Sequence, residues 1–206
     1  MLFSVIGYFF CDPILAWLAK SVGKFVFTAP TEAFFVRLNL ALSMGIVFSF
    51  PVFLYHVWRF VERALESRIR FFLALVLPFS YLLFVTGLAL GLVWVAPLAT
   101  RFLLSFGSPS LRPFLSIQSY LSFLFWMLMG FGLLFQLPVV VLVLVATGVM
   151  NSRTLAGYRK HILAGLFIVS ALLSPGPDIF SQIIMAIPAY LLFEISLFIS
   201  KWIERK

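Results

Sequence analysis

The length of its uncharged stretches most limits what this chain can fold into. Between one charged residue and the next, Leu38–Trp58 has 21 residues, Phe71–Thr100 has 30 and Pro113–Ser152 has 40. A helix crosses the roughly 30 Å hydrocarbon layer of a bilayer with about 20 apolar residues, so each run holds at least one span. Only 11% of the 206 residues are charged and 63% are hydrophobic. A soluble fold of this size could not bury so much apolar surface, which excludes soluble enzymes, disordered proteins and disulfide-rich secreted domains.

Two shorter uncharged runs follow, His161–Pro177 with 17 residues and Ile179–Phe193 with 15, separated by the turn sequence of residues 174–178. They predict a hairpin of two short helices. The 40-residue run is too long for one helix, and we place its span near residues 121–147. The predicted fold is therefore an all-α, polytopic transmembrane helical bundle of five full or near-full spans, forming a single membrane domain over residues 1–206.

The amino-terminal residues and the prolines within the spans give further predictions. Residues 1–10 are apolar but only half as long as a span, which predicts a truncated first helix. An amphipathic stretch over residues 14–22 should lie at the outer membrane surface. Prolines within the spans each remove a backbone hydrogen bond and favour kinks, which predicts a concave bundle. The prolines expected to act as structural kinks are Pro51, Pro138 and Pro188.

The distribution of lysine and arginine predicts the orientation. Ten of the fifteen cations lie on the side that holds the loop after Trp58, the loop after residue 152 and the carboxyl-terminal tail, and five lie opposite. Cytoplasmic loops carry the excess of positive charge, so the ten-cation side and the carboxyl terminus should face the cytoplasm. The cations are spread over short loops rather than a stripe, which argues against nucleic-acid binding.

Residue types and spacing give no indication of covalent chemistry. Cys11 is the only cysteine, and His56 and His161 lie on different segments, so no metal site is predicted. The sequence has neither a serine-hydrolase G-x-S-x-G element nor a phosphate-binding glycine loop. We expect no enzymatic activity and no cofactor.

Several short motifs, in order along nearly the whole chain, are similar to those of one known family. They are PTEAF (30–34), FPVFLYHVWRFVE (50–62), SYLSF (119–123), FG (131–132), FQLP (135–138), YRK (158–160), PDIFSQ (177–182), AIP (186–188) and FEI (193–195). Together they resemble TatC, the C subunit of the twin-arginine (Sec-independent) protein translocase.

The resemblance implies a six-helix membrane protein of the cytoplasmic (inner) membrane, with short last helices and a shortened first one here. It implies a receptor and assembly platform that binds the signal peptides of folded passenger proteins, with transport driven by the proton motive force. The implied partners are the small single-span subunits of TatA and TatB type, and we expect an oligomer.

A receptor for paired arginines needs carboxylates at the cytoplasmic interface, because guanidinium binds carboxylate bidentately. Glu62 and Glu66 are four residues apart and share a face on a helix, so they are candidate signal-peptide ligands together with Phe60. Ile69 stands where the family has a glutamate. The alternative is that both acids only pair with neighbouring arginines, namely Arg59, Arg63 and Arg70.

Two further polar sites are predicted. Gln136 lies in the middle of an apolar span and must face the bundle interior or a partner helix, because an unpaired amide in lipid is costly. It is either a helix–helix contact within this chain or part of a cavity for a passenger or partner. Asp178 and Gln182 open the last span, where the family docks its partner subunits. The alternative role for Asp178 is to cap that helix.

Two other readings of the whole chain remain open at this point. A small secondary transporter would need polar groups converging at the membrane midplane, where Gln136 stands alone. A truncated or degenerate copy of the family protein would insert into the membrane without receptor activity.

Overall fold

The computed structural model describes residues 7–9, 11–22, 31–63, 67–105, 116–173 and 179–204. Within these ranges the chain is almost entirely helical, which confirms the all-α prediction. The helices are α1 (Cys11–Val22), α2 (Glu32–Arg63), α3 (Ser67–Leu90), α4 (Ala96–Leu104), α5 (Ile117–Leu134), α6 (Leu137–Ala146), α7 (Ser152–Gly157), α8 (Arg159–Leu173) and α9 (Ile179–Ile203). A π-helical turn, Gly91–Val95, joins α3 to α4 without interruption.

Four helical stretches in the described part of the chain are long and apolar enough to cross a membrane. They are Phe34–Arg59, Pro78–Leu104, Ile117–Ala146 and Ser181–Trp202. The first three coincide with the three long uncharged runs. The positions of those spans therefore follow from hydropathy alone, because charged side chains are excluded from the hydrocarbon layer.

The two helices of the hairpin differ in length. Helix α8 has 15 residues and is short, as the sequence predicts. Helix α9 has 25 residues and runs ten residues past Phe193, where its uncharged run ends. The next residue, Glu194, is bonded to Arg159 and Tyr190, so its charge does not end the helix. The last helix is therefore longer than the charge boundary indicated.

The third span is built from two helices with a break between them. Pro138 has no N–H, so it cannot bond the carbonyl of Leu134. The chain makes a turn at residues 135–136, where the Gln136 N–H bonds the Leu133 carbonyl at 2.9 Å. Helix α6 then starts at Leu137, with the proline in its first turn, where an N–H would have no helical partner.

Small residues let α3 and α5 approach closely. A Cβ added to Gly87 of α3 would lie 2.8 Å from the backbone oxygen of Phe131 in α5. On the other side of the contact, a Cβ on Gly132 would collide with the ring of Phe84. Phe84 is fully buried and stacks on Phe50 of α2, with the ring centroids 3.6 Å apart. Glycine at these positions is how membrane helices gain van der Waals contact without a hydrophobic driving force.

Helices α6, α7 and α8 form a second packing group around α9. Helices α6 and α8 both pack against α9. Val141 and Val145 of α6 share an apolar cluster with Phe193 and Leu197 of α9. This group joins α5 through close contact between Gly130 and the Met185 side chain. Helix α9 is therefore the element that joins α6 and α8 to the rest of this group.

The outward surface of the described spans is as apolar as their interior. Large side chains such as Trp94, Leu172 and Phe198 are more than two-thirds exposed. Such a surface is compatible with lipid and not with water, which supports the assignment as a membrane protein.

Helix α1 lies beside the start of α2. Asp12 forms an ion pair with Arg37 of α2 at 3.0 Å, and Cys11 is buried against the same region. The helix covers the amphipathic stretch predicted at residues 14–22.

The contact at Gly87 generates a stability prediction. Gly87→Ala should destabilise the protein by about 1–3 kcal/mol, because the added methyl group meets a backbone atom that cannot turn aside. Gly165→Ala in α8 is the matched control, since a Cβ there meets nothing within 4 Å. It should leave stability unchanged or raise it slightly through better helix propensity. Thermal unfolding of both variants in detergent measures the difference, and equal midpoints would contradict the close approach.

Candidate functional site

The predicted signal-peptide residues lie where α2 ends. The backbone of Phe60 and Glu62 is helical, but their side chains lie outside what the structure describes, and so does all of Glu66. One turn earlier, the Arg59 guanidinium donates to the Tyr55 hydroxyl at 3.2 Å and lies 5.8 Å from the centre of that ring. Arg59 thus binds Tyr55, an aromatic residue that precedes Glu62 and Glu66 in the chain.

Gln136 lies at the break between α5 and α6, and its amide is paired at both ends with one residue of α3. The Ser80 hydroxyl donates to Oε1 of Gln136, and Nε2 of Gln136 donates to the Ser80 backbone carbonyl at 3.0 Å. Ser80 is fully buried. The structure thus places Gln136 in a helix–helix contact within the chain, which was one of its two predicted roles, and a direct role toward a partner stays a prediction.

The predicted docking residues open the last helix. Asp178 lies outside the described residues. Gln182 is half-buried in the first turns of α9, and its Nε2 donates to the backbone carbonyl of Phe167 in α8 at 2.7 Å. The amide therefore ties the two helices of the hairpin together beside the exposed face of α9.

The three predicted kink prolines have different surroundings. Pro51 lies inside α2 and Pro188 inside α9, and both helices continue through them. Pro138 follows the break described above. Kinks at Pro51 and Pro188 remain predictions.

The structure adds a buried carboxylate that sequence reasoning did not select. Glu32 begins α2 and is only 7% exposed. The Ser116 hydroxyl and the Gln118 backbone N–H, at 3.2 Å, both donate to its Oε1. A carboxylate at the start of α5 pairs with the unbonded N–H groups and positive dipole end of that helix. The available signal was an acid placed just before a long apolar span, but nothing in the sequence identified its partner.

Two clusters of charged residues close the opposite end of the bundle. The Arg159 guanidinium binds both carboxylate oxygens of Glu194, at 2.8 and 2.9 Å, and the Tyr190 hydroxyl donates to the same carboxylate at 2.9 Å. Glu204, just beyond α9, accepts from the backbone N–H of Ser152 at 2.7 Å and from its hydroxyl. These bonds lower the pKa of the Glu204 carboxyl. The start of α7 and the end of α9 are thereby tied to each other.

These arrangements determine what the described polar groups can do. Among the described residues, no group of three or more His, Cys, Asp or Glu side chains could hold a metal ion. The carboxylates of Glu32, Glu194 and Glu204 are each bonded to a neighbouring helix or loop. Their chemistry is that of holding helices in place.

Comparison with known proteins gives a consistent result. The family model for "Sec-independent protein translocase protein (TatC)" matches residues 1–188. The chain is 39% identical to the Sec-independent protein translocase protein TatC of Carboxydothermus hydrogenoformans, covering 98% of this chain and 85% of that one. It is 36% identical to TatC of Aquifex aeolicus, covering 98% and 87%. A solved structure of a twin-arginine translocase receptor, TatC, superposes with a TM-score of 0.85 at 33% identity, covering 97% of this chain and 91% of that chain.

The two-way bond between Ser80 and Gln136 generates a coupling prediction. Ser80→Ala and Gln136→Leu should each destabilise the protein, and the double variant should lose less than the sum of the two. We expect a coupling energy of about 0.6 kcal/mol and no more than about 1.7 kcal/mol, the average and the maximum found for hydrogen bonds between membrane helices. Unfolding free energies of the four proteins in detergent complete the cycle. Strict additivity would contradict a direct bond between the two side chains.

Proposed function

The chain belongs to the TatC family, whose members are subunits of the Sec-independent protein translocase. On that premise we propose that it binds twin-arginine signal peptides. Its substrates would be folded passenger proteins, exported across the membrane by a complex in which this chain is receptor and assembly platform. The observation that carries the proposal is the similarity over 97% of the chain to a solved twin-arginine translocase receptor.

We assign recognition of the paired arginines to Glu62 and Glu66. A guanidinium group keeps its charge at all physiological pH values and is best matched by carboxylates near the water interface. The Arg59 guanidinium binds the Tyr55 side chain. This contact supports the role of the two acids, because it gives one of the neighbouring arginines a partner other than a carboxylate. Phe60 would pack against the apolar part of the signal peptide.

We assign the arginine-rich end of the bundle to the cytoplasm, in the inner membrane of the cell. This end holds the end of α2, the start of α3, helix α7 and the end of α9. Ten of the fifteen lysine and arginine residues of the sequence belong to it. The signal peptide would then meet Glu62 and Glu66 before any part of it enters the membrane.

Docking of the small TatA- and TatB-type subunits is assigned to an exposed face of α9 that starts at the opposite end of the helix. Beside Gln182, the helix presents a row of exposed apolar side chains at four-residue spacing: Ile179, Ile183, Ile187, Leu191 and Ile195. This spacing forms one continuous ridge on a helix, which a single-span partner helix could pack against. Asp178 precedes the ridge. Transport itself would be driven by the proton motive force.

The role of a small secondary transporter has no supporting observation. Such a protein needs polar groups that face a substrate at the membrane midplane. Gln136 is the midplane candidate, and both ends of its amide are occupied by Ser80.

The receptor assignment predicts the effect of neutralising two carboxylates. Glu62→Gln with Glu66→Gln should weaken crosslinking to a twin-arginine signal peptide at least about tenfold, because two charge-assisted contacts are lost. Glu204→Gln is the control, since it removes one negative charge from the same end of the bundle. If the double variant crosslinks as well as the wild type, the two acids pair only with neighbouring arginines.

The orientation assignment predicts labelling from one side. In a Cys11→Ser background, Arg68→Cys places a single thiol in the first turn of α3. A membrane-impermeant maleimide should label it only after the cytoplasmic side is opened. The control thiol, Arg101→Cys near the end of α4, should react in intact cells. The reverse pattern would overturn the orientation.

A further inference from the structure

The inner face of α2 carries a row of buried side chains at four-residue spacing. Phe50, Leu54 and Trp58 are each no more than 9% exposed, and the Phe50 ring stacks on Phe84 of α3. Residues four apart on a helix lie one above the other, so this row faces the neighbouring helices rather than lipid. Glu62 is the next member of the row, and α2 is still helical there. The row therefore leads from the packed interior of the bundle to a proposed signal-peptide ligand.

Trp58 ends the apolar part of this row with a polar group. Its indole Nε1 is buried and has no hydrogen-bond acceptor within the part of the chain that the structure describes. A tryptophan at the end of a membrane span ordinarily turns its N–H toward the water interface, where the group is hydrated. A donor left buried and unpaired costs the folded chain free energy. Neither packing nor hydration therefore explains where this N–H lies.

The indole N–H differs from a buried hydroxyl in having no acceptor within its own helix. The hydroxyls of Thr86 and Thr100 each donate to the carbonyl four residues earlier, at 2.7 Å. Ser170, whose buried hydroxyl also has no acceptor among the described residues, can reach such a carbonyl by turning one side-chain torsion. The indole N–H lies on a rigid bicyclic ring and cannot turn back in this way. Its acceptor has to come from another segment or another molecule.

A polypeptide that enters at this end of the bundle brings acceptors of the required kind. Outside a helix, its backbone carbonyls have no partner once water is removed. On the basis of the proposed signal-peptide binding, we propose that the Trp58 N–H donates to a backbone carbonyl of the signal peptide, beside its paired arginines. Trp58 and Glu62 are one helical turn apart, about 5.4 Å along the axis. One short peptide segment can therefore meet Trp58 with its backbone and Glu62 with an arginine side chain.

The burial of the N–H in the empty chain has two consequences for this bond. The side chains that cover the N–H must separate when the peptide binds. The indole has already lost its water on folding, so the new bond displaces none from it. Such a bond in a dry site contributes more to binding than a bond to a hydrated donor. Trp58 thus adds a contact that recognises the peptide backbone to the carboxylates that recognise its arginines.

An isosteric replacement of Trp58 tests the bond without changing the packing. Benzothienylalanine, in which sulfur replaces the N–H, is introduced into the full chain by nonsense suppression, and the protein is purified in detergent. Binding of a fluorescent twin-arginine signal peptide should weaken at least about fivefold, because a peptide carbonyl is left unpaired. The thermal unfolding midpoint of the empty protein should stay the same or rise, since a buried unpaired donor has been removed. Unchanged peptide affinity, or a lowered midpoint that reveals a partner within the chain, would overturn the proposal.

The same replacement at Trp126 is the matched control. Trp126 lies in α5, is about half exposed, and borders the part of α2 near Leu42 and Ile46, far from Trp58 in that helix. Peptide affinity should not change there, and an equal loss at both positions would contradict a specific role of Trp58. A wild-type protein that does not bind the peptide would refute the proposed function itself. A wild type that binds, with a Trp58 variant that binds equally well, would refute only the present inference.

The indole proton reports the bond directly. In NMR spectra of the protein with isotope-labelled tryptophan, the Trp58 indole signal is the one missing from the benzothienylalanine variant. Addition of the signal peptide should move this proton downfield, as a new hydrogen bond does. A signal that does not move in the peptide-saturated protein would overturn the proposal.

A combination with Glu62→Gln separates a direct contact from an indirect one. If Trp58 donates to the peptide itself, the losses of affinity from the two changes should multiply in the double variant. If Trp58 acts only by holding the Glu62 carboxylate, the double variant should bind no more weakly than Glu62→Gln alone. That second result would overturn the assignment of the bond to the peptide. Circular dichroism of each variant confirms that the helices remain formed.

Discussion

The absence of water in the bilayer core is the constraint on which the rest of this structure depends. A polar group that crosses into hydrocarbon must find its partner inside the protein. Gln136 meets Ser80, Glu32 meets the start of α5, and Gln182 meets the Phe167 carbonyl. Each of these bonds joins two different helices, so these polar side chains add specificity to the choice of neighbouring helices. Apolar contacts between helices add less specificity, because lipid also packs against apolar side chains.

Close packing then sets how near those neighbours lie. The glycines of α3 and α5 let the two backbones approach each other beside Phe84, and the Phe84 ring also stacks on Phe50 of α2. The Ser80–Gln136 pair lies at one end of this contact, where the third span breaks. The second group, α6 to α9, continues from that break and is closed by Arg159, Glu194 and Tyr190. The result is two groups of tightly packed helices with large apolar side chains on the outside.

Some residues could be placed from the sequence with good accuracy and others could not. The long uncharged runs located three spans, and the short α8 followed from Arg159 and Lys160 on one side and the turn of residues 174–178 on the other. The end of α9 was misjudged because Glu194 appeared to be a boundary, whereas its charge is neutralised by an arginine 35 residues earlier in the chain. Glu32 was visible as part of a motif, yet its burial was not, because burial depends on Ser116, which is 84 residues away.

The sequence by itself therefore determined what a local property can determine: which stretches cross the membrane, the helical class of the fold and, through ordered motifs, the family. Those features arise from the hydropathy and hydrogen-bonding needs of neighbouring residues, and they survive any rearrangement of the helices. Only the tertiary structure decided that Gln136 pairs with Ser80, that Glu32 caps α5, and that α1, α2 and α5 line an apolar groove. These depend on contacts between segments distant in the chain, and in a lipid environment hydrophobicity does not specify which helix packs against which.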